Sequence, residues 1–479
     1  TVARRASERQ IDDQLTTARP ALERARQQAR EAERQRVVAF AAFDRGDLDA
    51  GERAWARALA QVSDTRVAYT RATRALEAAF SYDPSRRDVR RRLGEVLFER
   101  VELAERELRF GERDELESIL ALYDPELAAR RHAPARLRIE THPPARVVIT
   151  RAGLDVARTD SLPPGSYVIR AIAEGRAPVA FPVFLRPGEA RDVVLRSPPA
   201  SAVPTGFVYV APGSFLYGSR DEEAARTWFT AVPLHEVSTG AYLIERTETT
   251  YAQWIAFLET LPPDARARHT PTIGISATVQ EGGGLALTRD TVGWALRFAP
   301  SNIVYTARAG DPIVYRERAF RSRQDWLRMP VSGISPEDAL AYTAWLDGSG
   351  RVPRARPCSE LEWERAARGA DGRSFPHGER LTGQDANVDE TYGRKDGGFG
   401  MDEVGSYPHA ESPFGLLDMS GNVWEIVRAA HGQYVMRGGG FFTDASKSAH
   451  LANRNVITPT YRHLHLGLRV CADVDVSSQ

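Results

Sequence analysis

At about residue 135 this 479-residue chain changes period. Before that point apolar residues recur at helical spacing, as in Val37, Phe40 and Ala41 and then Leu48, Trp55 and Leu59. Ala, Arg, Glu and Leu dominate there, all strong helix formers. Beyond it, LRIETHPPARVVITRAG and LPPGSYVIRAIAEGRAPVAFPVFLRPGEARDVVLR alternate apolar and polar residues, with Pro-Gly turns between the runs. That is the pattern of short antiparallel strands. One core does not serve both periods, and the chain is too long for one ordinary core. The expected class is multidomain α+β. A helical domain covers 1–133, a small β-sandwich 137–196, a linker 197–206 and a large last domain 207–473.

Within the helical part, RGDLDAGE and SYDPSRRD carry cap-type residues and mark breaks, and GERDE marks a further one. The succession loosely resembles tetratricopeptide-type hairpins, although a plain helical stalk explains it as well. Charges balance at 64 basic against 64 acidic, so nothing electrostatic points to nucleic acid. The basic residues are nearly all arginine, with Lys395 and Lys447 the exceptions. No apolar run is long enough to span a membrane. The chain opens TVARRASERQ, without Met, and reads as part of something longer from which a membrane segment or an upstream kinase is missing. With only Cys358 and Cys471, a disulfide scaffold or Cys-based zinc cluster is excluded; one disulfide is possible, but two buried free thiols are expected. The cytoplasm is the favoured compartment.

The last domain is rich in Gly, Pro and aromatics and offers few helices. Ser335 caps a helix with Glu337 and Asp338 in its first turn, and Ser359 pairs with Glu362 as a capping box before a helix that stops at Gly369. Residues 261–328 read as a less regular insertion. The end of the domain is organised around SPFGLLDMSGNVWEI, MRGGGFF and GLRVCAD. Three glycines between a basic residue and two aromatics call for tightly packed irregular backbone.

Two resemblances follow. THPPARVVI, LPPGSYVIRA and PGEARDVVL resemble a PEGA domain, usually an adaptor without chemistry. FVYVAPGSFLYGS, HEVSTGAYLIERTETTYAQWIAFL, MPVSGISPEDALAYTAWL, CSELEWERAARG and the three closing motifs, in that order, resemble the formylglycine-generating enzyme or sulfatase-modifying-factor family. The resemblance implies a variant of the C-type-lectin fold with much irregular structure. It also implies a pair of cysteines that hold copper and oxidise a substrate cysteine. Here the matching stretch, GGGFFTDASKSAHLANR, holds Thr443 and either Ser446 or Ser448 in their place. Hydroxyls are poor ligands for soft copper(I), so no copper is expected. The family's structural calcium is retained as an expectation. The first site would use Asn387 and Asp396 with the carbonyls of Val388 and Gly398; the second would use Asp418 and Glu425 with those of Gly421 and Val423.

Between Phe441 and Leu466 lies a mixed tract, FFTDASKSAHLANRNVITPTYRHLHL, in which Arg454, Pro459 and Arg462 read as frame positions. Between them Phe, Thr, Asp, Ser, His, Asn, Val, Ile, Tyr and Leu are each reachable from the codon AAC by changing only its adenines. This resembles the variable proteins written by diversity-generating retroelements. Rigid aromatics mixed with adaptable hydrogen-bonding groups suit a recognition surface. Trp424, Phe442, Thr443, Asp444, His450, Asn455, Ile457, Thr460, Tyr461, His463 and His465 are the candidate contacts, with Phe441 assigned to the core. The expected function is non-catalytic recognition of a protein or peptide. A metal-dependent oxidoreductase and the sensory end of a bacterial serine/threonine kinase are the alternatives.

Overall fold

The computed structural model describes residues 2–274, 284–445 and 447–474. The chain divides into two compact units. The first holds Thr1–Leu137 with Arg158–Gly165 and Leu185–Arg191, and the second holds Arg138–Ala157, Ser166–Phe184 and Asp192–Gln479.

In the first unit, helices Val2–Asp44 and Leu48–Tyr82 form a long hairpin turned at Gly46 (φ 74°) and capped by Asp47, whose carboxylate accepts the Ala50 N–H at 3.0 Å. The buried stripes are made of small residues: Ala18, Ala25, Ala32 and Ala39 on one helix, Ala54, Ala58, Ala68 and Ala72 on the other. Gly51 lies so close to Phe43 that a Cβ there would come within 2.4 Å of the ring. Val37 and Leu48, expected on the apolar stripe, are 60% and 43% exposed. Alanine, read as a helix former, is what lets the two helices approach. Helices Arg87–Arg106, Phe110–Tyr123 and Pro125–Arg130 complete a core around Leu93, Val96, Leu97, Val101, Leu116 and Leu120. The break before Phe110–Tyr123 falls at residues 107–109, so GERDE belongs to the first turn of that helix. No helix among the described residues is long and apolar enough to cross a membrane.

The alternating stretch forms the strands expected of it. Arg136–His142 pairs with Ala190–Arg196, and a four-stranded sheet runs Leu154–Asp155, Arg146–Arg151, Gly165–Ile172, Val179–Leu185.

In the remainder of the second unit, one sheet runs Ala355–Pro357, Val470–Asp473, Tyr242–Glu245, Phe207–Val210. A second runs Asn455–Ile457, Tyr434–Arg437, Trp424–Arg428, Leu466–Leu468, the last pair parallel. Helix Glu360–Arg368 packs on their shared core through Trp363, Ala366 and Ala367. The expected capping box of Ser359 with Glu362 forms, and so does the expected cap at Ser335, where Asp338 closes a second box. Two findings correct the sequence reading. Cys358 and Cys471 are not free thiols: they are joined in a disulfide, Cα–Cα 4.8 Å, fully buried. The insertion is not irregular: Thr272–Ile273, Gly284–Arg289, Trp294–Ala299 and Tyr305–Arg308 make an antiparallel meander. Its buried face carries Leu285, Leu287, Leu296, Phe298, Tyr305 and Ala307, an alternation present in the sequence.

Candidate functional site

The C-terminal tract hangs from a buried ionic frame. Glu360 and Glu364 lie one turn apart on the helix Glu360–Arg368. Arg437, the arginine of MRGGG, donates to Glu360 at 2.9 Å and to Glu364. Arg454 donates to both oxygens of Glu360, at 2.7 and 3.1 Å, and Arg368 donates to Glu364 at 2.9 Å. All five side chains are buried. Burial alone would push the Glu360 carboxyl up, but Arg454 and Arg437 outweigh it and hold it below the usual range. Arg462 donates to Asp338 at 2.9 Å and to the Arg268 carbonyl at 2.6 Å. Arg454 and Arg462 are therefore frame residues, as read from the sequence.

Gly438 and Gly439 adopt φ of 90° and 77°, and a Cβ on Gly439 would lie 2.8 Å from the Ala449 Cα. The glycines thus pass the chain between the frame and the tract. Above them six rings follow one another. Phe399 lies 4.4 Å from Phe442, Phe442 6.1 Å from Phe441, Phe441 6.2 Å from His465, His465 4.0 Å from His463, and His463 6.2 Å from Tyr461. The row begins in the core, where Phe441 is 1% exposed, and reaches solvent at Phe442 and Tyr461, 37% and 36% exposed. Burial and the neighbouring His463 hold the His465 imidazole well below its ordinary value, so it stays neutral. Phe399 and its ring contact with Phe442 were not found from sequence.

The structure therefore gathers Phe442, Tyr461, His463 and His465. Thr460 and Asp444 are exposed, and Asp444 accepts the Lys447 N–H at 3.0 Å. Asn455 and Ile457 are half-buried on the edge strand, flanking exposed Val456. Three candidates need correction. Trp424 is 4% exposed and lies under Gly440, whose Cβ would be 3.3 Å from it. Thr443 is a turn residue: its hydroxyl donates to the Gly440 carbonyl at 2.7 Å and accepts the Gly440 N–H at 2.9 Å. His450 is buried, stacked on Phe229 at 4.7 Å, with Nδ1 accepting the Ala452 N–H at 3.0 Å. Burial pushes its imidazole down to about 3, against the pull of Asp221.

Residues 195–474, more than half of the chain, match the family model described as a sulfatase-modifying factor enzyme 1-like domain. The chain belongs to that family. The formylglycine-generating enzyme of Mycobacterium tuberculosis is 28% identical over 248 residues, 46% of this chain and 73% of the relative. The inactive C-alpha-formylglycine-generating enzyme 2 of Mus musculus is 34% identical over 161 residues, 30% of this chain and 49% of the relative. Among solved structures, PvdO from Pseudomonas aeruginosa superposes with a TM-score of 0.40 at 24% identity, covering 56% of this chain and 94% of that one. Treponema denticola variable protein 1 gives 0.36 at 17%, with the same coverages.

The sulfatase-modifying-factor domain of this chain places no thiol near the triple glycine. Thr443 closes its turn, Ser448 is half-buried, and Ser446 lies outside the described residues. Both cysteines are consumed by the buried disulfide. Hydroxyl donors do not fit copper(I).

The calcium expectation meets donors that are already engaged. At the first position the Gly398 carbonyl accepts Arg318 Nε at 2.7 Å, and the Val388 carbonyl accepts the Thr391 N–H at 3.1 Å. Asn387 turns its amide N–H2 to the Gly400 carbonyl at 2.8 Å, and the Asp396 side chain is exposed and accepts from Asn302 at 3.3 Å. At the second, Glu425 takes Arg469 through three contacts of 2.7 to 3.1 Å and Trp363 Nε1 at 2.7 Å. Asp418 accepts the Gly405 N–H at 2.5 Å. Neighbouring Glu248 is also buried; its burial, with the Asp418 charge next, holds it protonated well above the carboxylate range. Among the described residues no three His, Cys, Asp or Glu side chains converge on a metal position. At the first position the donors as placed do not fit calcium, and at the second both assigned side chains already hold protein partners.

Proposed function

We propose that the sulfatase-modifying-factor domain is a recognition module for a protein or peptide, without oxidase chemistry. The observation that carries this reading is the commitment of both cysteines to one buried disulfide, in a domain whose ring row reaches solvent at Phe442 and Tyr461. The thiol pair that the resemblance implies for oxidation is missing, while Phe442 and Tyr461 are exposed beside Asp444 and Thr460. Phe442, His463 and Tyr461 supply large contact area with little rotamer entropy to lose. The half-buried Asn455 and exposed Thr460 and Asp444 supply hydrogen bonds around them. The name of the murine relative, an inactive formylglycine-generating enzyme, is consistent with a family member that has left the reaction behind. The disulfide favours an oxidising compartment over the cytoplasm.

The test is a displayed peptide library selected on the wild-type protein. Selected peptides should lose at least about tenfold in affinity on the Tyr461→Ala/His463→Ala double variant, a loss of about 1.4 kcal/mol, with its melting temperature unchanged. Peptides that bind the double variant equally well would place recognition elsewhere.

A further inference from the structure

We propose that Arg318 supplies from within the chain the positive charge that the resemblance assigns to a calcium ion at the loop 387–402. The Arg318 guanidinium donates through Nε to the Gly398 carbonyl at 2.7 Å, through Nη2 to the Gly400 carbonyl at 2.6 Å and through Nη1 to Asp402 at 2.5 Å. Two backbone carbonyls and one carboxylate form an all-oxygen shell, the donor chemistry a hard cation takes. The position coincides with the implied calcium site on two counts. The Gly398 carbonyl is one of the donors assigned to that ion. Asn387, another, meets Arg318 on the same Gly400 oxygen.

The guanidinium is built into place. Arg318 is 6% exposed and lies between two tyrosine rings, 3.5 Å from the Tyr315 centroid and 3.8 Å from that of Tyr392. Planar guanidinium stacks on aromatic faces in a way a spherical ion does not. Tyr392 and Tyr407 both donate their hydroxyls to Asp402, at 2.7 and 2.8 Å, so the carboxylate is saturated by Arg318 and two phenols. Tyr315 in turn donates to the Met401 carbonyl at 2.9 Å. Gly400 has φ 142°, and a Cβ there would lie 2.3 Å from the Tyr315 ring, so the loop closes on this cage only with glycine. A calcium ion among these oxygens would face a guanidinium at contact distance. The insertion that carries Arg318 therefore does for the loop what a bound ion would do, and the loop holds its shape whatever the calcium supply.

The experiment compares thermal unfolding of the whole chain with calcium chloride and with EDTA. The wild type should melt at the same temperature in both. Arg318→Ala should melt about 10 °C lower in EDTA, and added calcium should recover part of that loss by occupying the vacated shell. The double variant Arg318→Met/Asp402→Asn, which removes both charges, should fold and ignore calcium. A wild type stabilised by calcium as much as Arg318→Ala overturns the proposal. So does an Arg318→Ala variant that calcium leaves unmoved while the double variant folds normally.

Discussion

The helical unit and the sulfatase-modifying-factor domain are stabilised in opposite ways. The hairpin Val2–Asp44 and Leu48–Tyr82 buries alanine against alanine, and most ion pairs of the helical unit are at the surface, such as Arg91–Glu95 on the next helix, at 3.8 Å with both side chains about half exposed or more. Pairs of that kind contribute about 0–1 kcal/mol. In the other region Arg318, Arg437 and Arg469 are buried with carboxylates as close partners. Burying such charges costs several kcal/mol per ion before the partners offset it. The gain is geometric: a domain with short strands and long loops is pinned by directional bonds between residues far apart in sequence. The lesson is that one chain uses shape where helices repeat and buried charge where backbone is irregular.

The comparison is sharpened most by Arg437→Ala, which leaves Glu360 and Glu364 short of a cation inside the core. A loss of about 4 kcal/mol in denaturant unfolding is expected, and a loss below about 1 kcal/mol would make the frame decorative. A smaller effect is expected at His450. Its folded imidazole is depressed from 6.5 to about 3, so its contribution is present above pH 6.5 and is lost as pH falls below it. Unfolding at pH 4.5 rather than 7.5 should therefore cost about 3 kcal/mol less through this residue. His450→Phe, keeping the stack on Phe229, should flatten that acid limb. An unchanged limb would assign it to another group.

Much of this was legible in the sequence where the signal is local. The capping boxes at Ser335 and Ser359 are set by residues three apart, and the strands at 137–196 by alternation. The glycines of MRGGG announced backbone of positive φ. What escaped were relations across distance. Glu360 and Glu364 were not singled out, although their four-residue spacing, continued at Arg368, was a sign of a shared face. Their partners Arg437 and Arg454 lie 77 and 94 residues away from Glu360, and Cys358 and Cys471 are separated by 113, so no spacing revealed either pairing. His450 was misassigned because a histidine in a polar tract looks exposed until Phe229 and Phe375 are seen to enclose it. The meander at 272–308 carried its alternation openly at Leu285, Leu287, Leu296 and Phe298, on either side of the turn at 290–293.

The most direct measurement is oxygen uptake by the purified chain loaded with copper(I) and supplied with a cysteine-containing peptide under reducing conditions. A recognition module predicts uptake no faster than copper and peptide alone, and no aldehyde on the peptide. Aldehyde formation by the wild type, lost in Cys358→Ala/Cys471→Ala, would show that this disulfide opens to do the family's chemistry and would contradict the account.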